Sequence, residues 1–176
     1  LTNLLISNLM KKIFRTIIKK KERYGIAFHD YAKLYVSNPY KSSKLERKKI
    51  KLKNLKVILP CKPSKIICAA DNYYSKYSKN KKYKEPYLFL KSPNALSLYK
   101  DKIRIPDKKW HVWGEPGLGI VIKKKITFKT KIKSLDEFIL GYLVCNDVTS
   151  KNIIGRDHHL VRSKSADGFC PVSKYI

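Results

Sequence analysis

Acidic residues are scarce in this chain: 13 Asp and Glu stand against 40 Lys and Arg, for a formal net charge of +27 at pH 7. An excess of that size ordinarily points to nucleic acid or an anionic membrane surface. Arginine is scarce as well. Only Arg15, Arg23, Arg47, Arg104, Arg156 and Arg162 occur, whereas proteins that read bases and phosphates favour Arg for its bidentate fork. The lysines are spread among many Ile, Asn and Tyr, so we read a lysine-rich compositional bias, of the kind an AT-rich genome produces, and no specific nucleic-acid partner. Cys61, Cys68, Cys145 and Cys170 form no Cys-x-x-Cys pair and no paired His accompanies them, which excludes zinc-ribbon and thioredoxin-like motifs. Reduced thiols in a cytoplasmic protein are the plain reading. No apolar run approaches the roughly 18 residues of a membrane span. At 176 residues the chain can bury a real core without help from disulfides or metal.

Residues 1–20 carry apolar side chains at positions 1, 4, 5, 9, 10, 13, 14, 17 and 18, the spacing of an amphipathic helix. The segment also lacks acidic residues before Glu22, as a targeting peptide would, but a helix packed on the domain with a solvated lysine face is favoured. Residues 24–28 read as a short strand and residues 40–53, with Pro39 before them, as a charged, turn-rich connection. Further β-type runs are expected at 86–91, 118–122 and 138–145. Residues 72–83 are polar, aromatic and lysine-rich, and read as a helix or loop. The organisation expected is an N-terminal helical, basic region over residues 1–60 and a catalytic domain over 61–176.

Three blocks carry the chemistry. The string HVWGEPGLGIVI covers 111–122, GYLVCND covers 141–147, and RSKSADGFCP covers 162–171. Residues two apart in a strand point to one face, so a carboxylate such as Glu115, followed two positions later by another, would present both to one hard cation. Asp147, after the apolar run 142–146, would deliver its carboxylate to the rim of a sheet. Either acid alone is most simply a solvated or capping side chain; their order and context together favour a site. Lys91 stands in FLKSPN, where it either approaches a substrate or supports the fold. Trp110 and Trp113 flank the strand that carries Glu115 and could wall a pocket, with core packing the favoured reading. His158 and His159 have no metal-ligand spacing and suggest a turn.

This ordered set resembles the fumarylacetoacetate hydrolase family. The resemblance implies a β-rich mixed α/β fold, a β-roll with short helices, and because members are often dimeric a homodimer is among the assemblies implied. It implies a Mg²⁺ site (Mn²⁺ or Ca²⁺ in its place) held by Glu115 and Asp147, with Gly117 standing where the family pattern has its second Glu. It assigns Lys164 as the catalytic, enolate-stabilising residue, and Lys91 and Lys164 as contacts to a small anionic 2-oxo acid substrate. A His and Glu dyad that activates water in relatives is replaced by Lys76 and Lys79, and Asp71 stands where some relatives place a substrate-binding Arg. The family continues for several strands beyond the position matching Ile176, so the chain is expected to be a fragment or a degenerate paralogue with C-terminal strands missing. The activity implied is metal-dependent hydrolysis of a C–C bond, isomerisation or decarboxylation of a 2-oxo acid or β-dicarbonyl. An inactive remnant and a basic nucleic-acid-binding module are the alternatives.

Overall fold

A computed structural model describes residues 11–73, 85–105, 107–151 and 157–176. Among them the fold is β-rich, with one four-residue α-helix. Three sheets are formed: a five-stranded one, a four-stranded one and a two-stranded pair. The chain divides into two compact units. The first comprises Leu1–Cys61, Gly117–Cys145 and Val172–Ile176; the second comprises Lys62–Pro116 and Asn146–Pro171.

In the first unit, β1 (Lys12–Ile18), β2 (Lys21–Ala27), β3 (Tyr31–Tyr35), β4 (Leu45–Lys51) and β5 (Val57–Ile58) make a sheet in the order β4-β3-β2-β1-β5. The helix expected over residues 1–20 is therefore corrected for its described part, residues 12–18. There Ile13, Thr16, Ile17 and Ile18 are β-branched and Phe14 is aromatic, residue types that fit a pleated surface better than a helix. Ile13, Phe14, Arg15 and Thr16 are all buried, because β1 has neighbours on both edges and is covered on both faces. Apolar residues on both faces of a strand erase the alternation that would have marked it. The hairpin joining β1 to β2 turns on Lys19 and Lys20, both at positive φ (49° and 64°), the backbone of a type I′ turn. Residues 1–10 lie outside the described residues.

The connection expected over 40–53 is also corrected, since it contains β4. This strand is an edge of the sheet, with Arg47, Lys48 and Lys49 exposed. Charge is what protects an edge strand from pairing with other chains, and it hides the strand from a hydrophobic pattern search. Its inward residue Ile50 pairs with Ala32 and packs on a core of Phe14, Ala27, Ala32 and Leu34. Gly25 is required there. A Cβ at that position would meet the Phe14 ring at 2.8 Å and the Lys33 carbonyl at 2.9 Å.

In the second unit, β6 (Ile66–Ala70) and β7 (Tyr87–Lys91) pair antiparallel with Ile66 opposite Lys91 and Cys68 opposite Phe89. Alternation puts Phe89 and Lys91 on the buried face of β7, and Leu88 and Leu90 on the exposed one. A four-stranded sheet, not confined to this unit, has the order β8-β11-β10-β9, with β8 at Leu96–Leu98, β9 at Val112–Ile122, β10 at Ile139–Ser150 and β11 at Cys170–Val172. The runs expected at 86–91, 118–122 and 138–145 thus correspond to β7, β9 and β10. The last two are longer than expected, and Asp147 lies within β10 rather than at its end. Helix α1 (Val161–Lys164) precedes β11. Among the described residues no helix is long and apolar enough to cross a membrane.

Candidate active site

Glu115, Asp147, Lys91 and Lys164 all fall in the second unit, and their side chains meet. Each comes from a different element: β9, β10, β7 and α1. The approach of β9 to β10 is close because residue 114 is Gly. A Cβ there would meet Asn146 Oδ1 at 2.7 Å and Nδ2 at 2.8 Å, and residues 114 and 146 directly precede Glu115 and Asp147.

The Lys164 ammonium joins the two acids. Its Nζ donates to Glu115 Oε2 at 2.9 Å and to Asp147 Oδ2 at 2.7 Å. The same Nζ lies 5.0 Å from the centroid of the Phe89 ring, a cation–π distance. Lys91 takes the other side of Asp147: its Nζ donates to Asp147 Oδ1 and, at 3.1 Å, to the carbonyl of Val148. The Lys91 side chain is 0% exposed, against 46% for that of Glu115. The cluster is thus buried on its Lys91 side and open on its Glu115 side.

Glu115 is also held by its own strand neighbour, as Trp113 Nε1 donates to Oε1 at 2.7 Å. Burial alone pushes the Glu115 carboxyl up, but the bonds from Lys164 and Trp113, the charge of Lys164 and a bond with Thr149 outweigh it and hold the group below the ordinary glutamate value. The expected core packing of Trp113 is corrected by this geometry, since the residue is 40% exposed. Residues 113 and 115 share a strand face, and the indole N–H needs an acceptor.

Helix α1 is anchored by a residue the sequence analysis passed over. Asp157 Oδ2 accepts from the backbone N–H of Ser163 at 2.7 Å, and Lys164 N donates to Leu160 O at 2.9 Å to close the turn. Burial raises the Asp157 carboxyl, but bonds from Ser163, Arg162 and Val161 hold it below the ordinary aspartate value. An Asp six residues before the helical Ser163 has no usual capping spacing, so no local signal marked it. Phe89 was legible only as one of several apolar residues in a strand. His158 and His159 are exposed in a turn, Asp71 is exposed with φ 50°, and Lys76 and Lys79 lie outside the described residues.

The donor set can be tested against a divalent cation. Two carboxylate oxygens, Glu115 Oε2 and Asp147 Oδ2, converge on one point, the position of the Lys164 nitrogen. Among the described residues no third His, Cys, Asp or Glu joins them. Mg²⁺ commonly takes one or two protein carboxylates and completes its shell with waters and substrate oxygens. The chemistry of the donors therefore fits such an ion, with Glu115 and Asp147 as the residues that would hold it.

The profile of the family described as "Fumarylacetoacetate (FAA) hydrolase C-terminal" matches residues 65–176, a span that includes all four side chains. The protein MJ1656 of Methanocaldococcus jannaschii is 36% identical over 117 residues, covering 65% of this chain and 49% of that protein. Protein Rv2993c of Mycobacterium tuberculosis is 30% identical over 127 residues, 71% of this chain and 48% of its own length. The chain thus spans about half the length of these relatives. Among solved structures, the 5-carboxymethyl-2-hydroxymuconate delta-isomerase of Mycobacterium smegmatis superposes with a TM-score of 0.80 at 24% identity, over 94% of this chain and 66% of that one. That likeness shows the fold. With the profile covering well over half of the residues, the chain belongs to the fumarylacetoacetate hydrolase family.

Proposed function

We propose that the cluster is the active site of a divalent-metal-dependent enzyme acting on a small 2-oxo acid or β-dicarbonyl, in a reaction that passes through an enolate. The observation that carries this reading is the convergence of Glu115 and Asp147 on the Lys164 nitrogen. When bound, Mg²⁺ would supply Lewis-acid polarisation of the substrate carbonyl. Glu115 and Asp147 would hold it, and Trp113 keeps one Glu115 oxygen engaged elsewhere. With the cation taking over Glu115 Oε2 and Asp147 Oδ2, the Lys164 ammonium, released from these two oxygens, would donate a hydrogen bond to the oxygen on which charge develops as a C–C or C–H bond breaks, a stabilisation worth most in a site shielded from water. Burial and the Phe89 ring provide that shielding. Among the described residues, the arrangement is common to hydrolysis of a C–C bond, isomerisation and decarboxylation.

The test is turnover of oxaloacetate and of an acylpyruvate with Mg²⁺ or Mn²⁺ and with a chelator. Metal-dependent turnover that falls about a hundredfold or more in Lys164→Met supports the reading, by analogy with loss of an oxyanion donor. Turnover indifferent to the chelator and to Lys164→Met contradicts it. No turnover under any condition favours a catalytically impaired family member.

A further inference from the structure

Asp147 has two oxygens, and two lysines divide them. Oδ2 faces Lys164 and the point shared with Glu115, whereas Oδ1 accepts from Lys91. The Lys91 nitrogen is also bonded to the carbonyl of Val148, the next residue of β10. One ammonium therefore grips the same strand twice, through the side chain of residue 147 and the backbone of residue 148. Its side chain has no contact with solvent, being on the buried face of β7 next to Phe89.

A desolvated ammonium is tolerable only when it is paired and hydrogen-bonded. Two of its three N–H donors are taken by these partners, and a solute could reach the third only by opening the packing that seals the side chain from solvent, so its place does not suit a substrate contact. We infer that Lys91 is a positioning residue: it holds Asp147 by Oδ1, so that Oδ2 alone is turned toward the cation site with Glu115. This rests on the metal-site reading proposed above and assigns Lys91 a part in it other than the substrate contact the family resemblance implied.

Loss of Lys91 has two opposed effects on a bound cation. One nearby positive charge disappears, which favours binding. Against this, the Asp147 carboxylate is freed to rotate and to offer both oxygens to Lys164, which then competes for the ligand. Partners that orient a metal-binding side chain typically cost about 10–100-fold in affinity when removed, so the loss of orientation dominates.

The experiment is a Mn²⁺ titration followed by electron paramagnetic resonance on the wild-type chain, Lys91→Met, Lys91→Gln and Glu115→Gln. Metal saturation is then used to separate KM from kcat. Lys91→Met is expected to bind Mn²⁺ at least tenfold more weakly. Lys91→Gln, which keeps an N–H donor for Asp147, should recover part of that loss, and KM at saturating Mn²⁺ should stay near wild type. A Lys91→Met protein with unchanged Mn²⁺ affinity and a raised KM would make Lys91 a substrate contact. Unchanged affinity with only a lowered Tm would make it a packing residue. Either result overturns the inference while leaving the metal site standing. If Lys91→Met fails to fold, the comparison of Lys91→Gln with wild type decides between the same outcomes. If the wild-type chain does not bind Mn²⁺, or binds it equally after Glu115→Gln, the metal-site reading itself fails and the positioning role falls with it.

Discussion

The backbone N–H of Ser92 donates to Ser165 Oγ at 3.0 Å, and each of these serines directly follows a lysine of the candidate site. Asn94 Nδ2 donates to Asp167 Oδ1 and Ser97 Oγ donates to the carbonyl of Gly168 at 3.2 Å. Three bonds in succession therefore stitch the segment after Lys91 to the segment after Lys164. The two lysines that divide Asp147 are held in register by their neighbours.

Ser165→Ala removes the acceptor of the first stitch and leaves a partly buried N–H without it. A loss of about 1–2 kcal/mol in unfolding free energy is expected, measurable by urea denaturation. Turnover should fall by much less than in Lys164→Met, because the ammonium itself remains. An effect on stability within experimental error would show that the stitch does not order the segment.

Gly114→Ala should be more damaging than its size suggests. The new methyl would stand within 2.8 Å of the Asn146 side chain, whose Oδ1 is buried without a hydrogen-bond partner among the described residues. Either β9 and β10 separate near Glu115 and Asp147 or Asn146 is displaced. Overpacking of this kind costs about 1–3 kcal/mol, and metal affinity should fall with it. Wild-type stability together with wild-type Mn²⁺ affinity in this variant would mean that the close approach does not shape the site.

Asp157 makes a pH-dependent contribution whose sign is fixed by its depressed pKa. The unfolded chain titrates at the ordinary aspartate value, so the contribution is fully present above about pH 3.9 and is lost as pH falls through the lower folded value. Asp157→Asn keeps an acceptor for Ser163 N–H but no charge. It should be less stable than wild type at neutral pH, because the backbone N–H groups then meet a neutral acceptor in place of a charged one, and the difference should vanish in acid. A difference that stays constant from neutral pH down to pH 2 would show that the charge of Asp157 plays no part.

Lys19 and Lys20 explain why the first hairpin was illegible. Apolar residues at 13, 14, 17 and 18 suit a helix as well as a strand covered on both faces, and only the turn could have separated the two readings. A type I′ turn normally announces itself with Asn-Gly or Asp-Gly; here two lysines occupy it. β4 was obscured for the opposite reason, since charged edge residues look like a connection. By contrast, the longer apolar stretches of β7, β9 and β10 could be read directly. At the site, motif order drew attention to Glu115, Asp147 and Lys164, and strand alternation links Trp113 to Glu115. The burial of Lys91 had no local signal, because it depends on β6 pairing with β7 and on β10 approaching from far along the chain. Asp157 was missed for a similar reason: its partner is set by the path of the backbone into α1.

The strained turn gives its own prediction. Placing Gly at position 20, where φ is 64°, relieves a left-handed conformation that costs a side-chain-bearing residue about 1–2 kcal/mol. Part of this is offset by the greater freedom of Gly in the unfolded chain. Lys20→Gly should raise Tm, as read by circular dichroism, whereas Lys33→Gly in β3 should lower it. If both substitutions lower Tm equally, the hairpin does not turn on these two lysines.

Glu115 and Asp147 are proposed to share one divalent cation. The most direct measurement is calorimetric titration of Mn²⁺ into the wild-type chain, Glu115→Gln and Asp147→Asn, each checked for folding, with oxalate present as a 2-oxo acid mimic. Two ammonium groups balance two carboxylates in the cluster, so the anionic ligand should tighten binding of the cation. One Mn²⁺ per chain is expected in the wild type, with loss of that site in each single variant. Equal Mn²⁺ binding by all three proteins would contradict it.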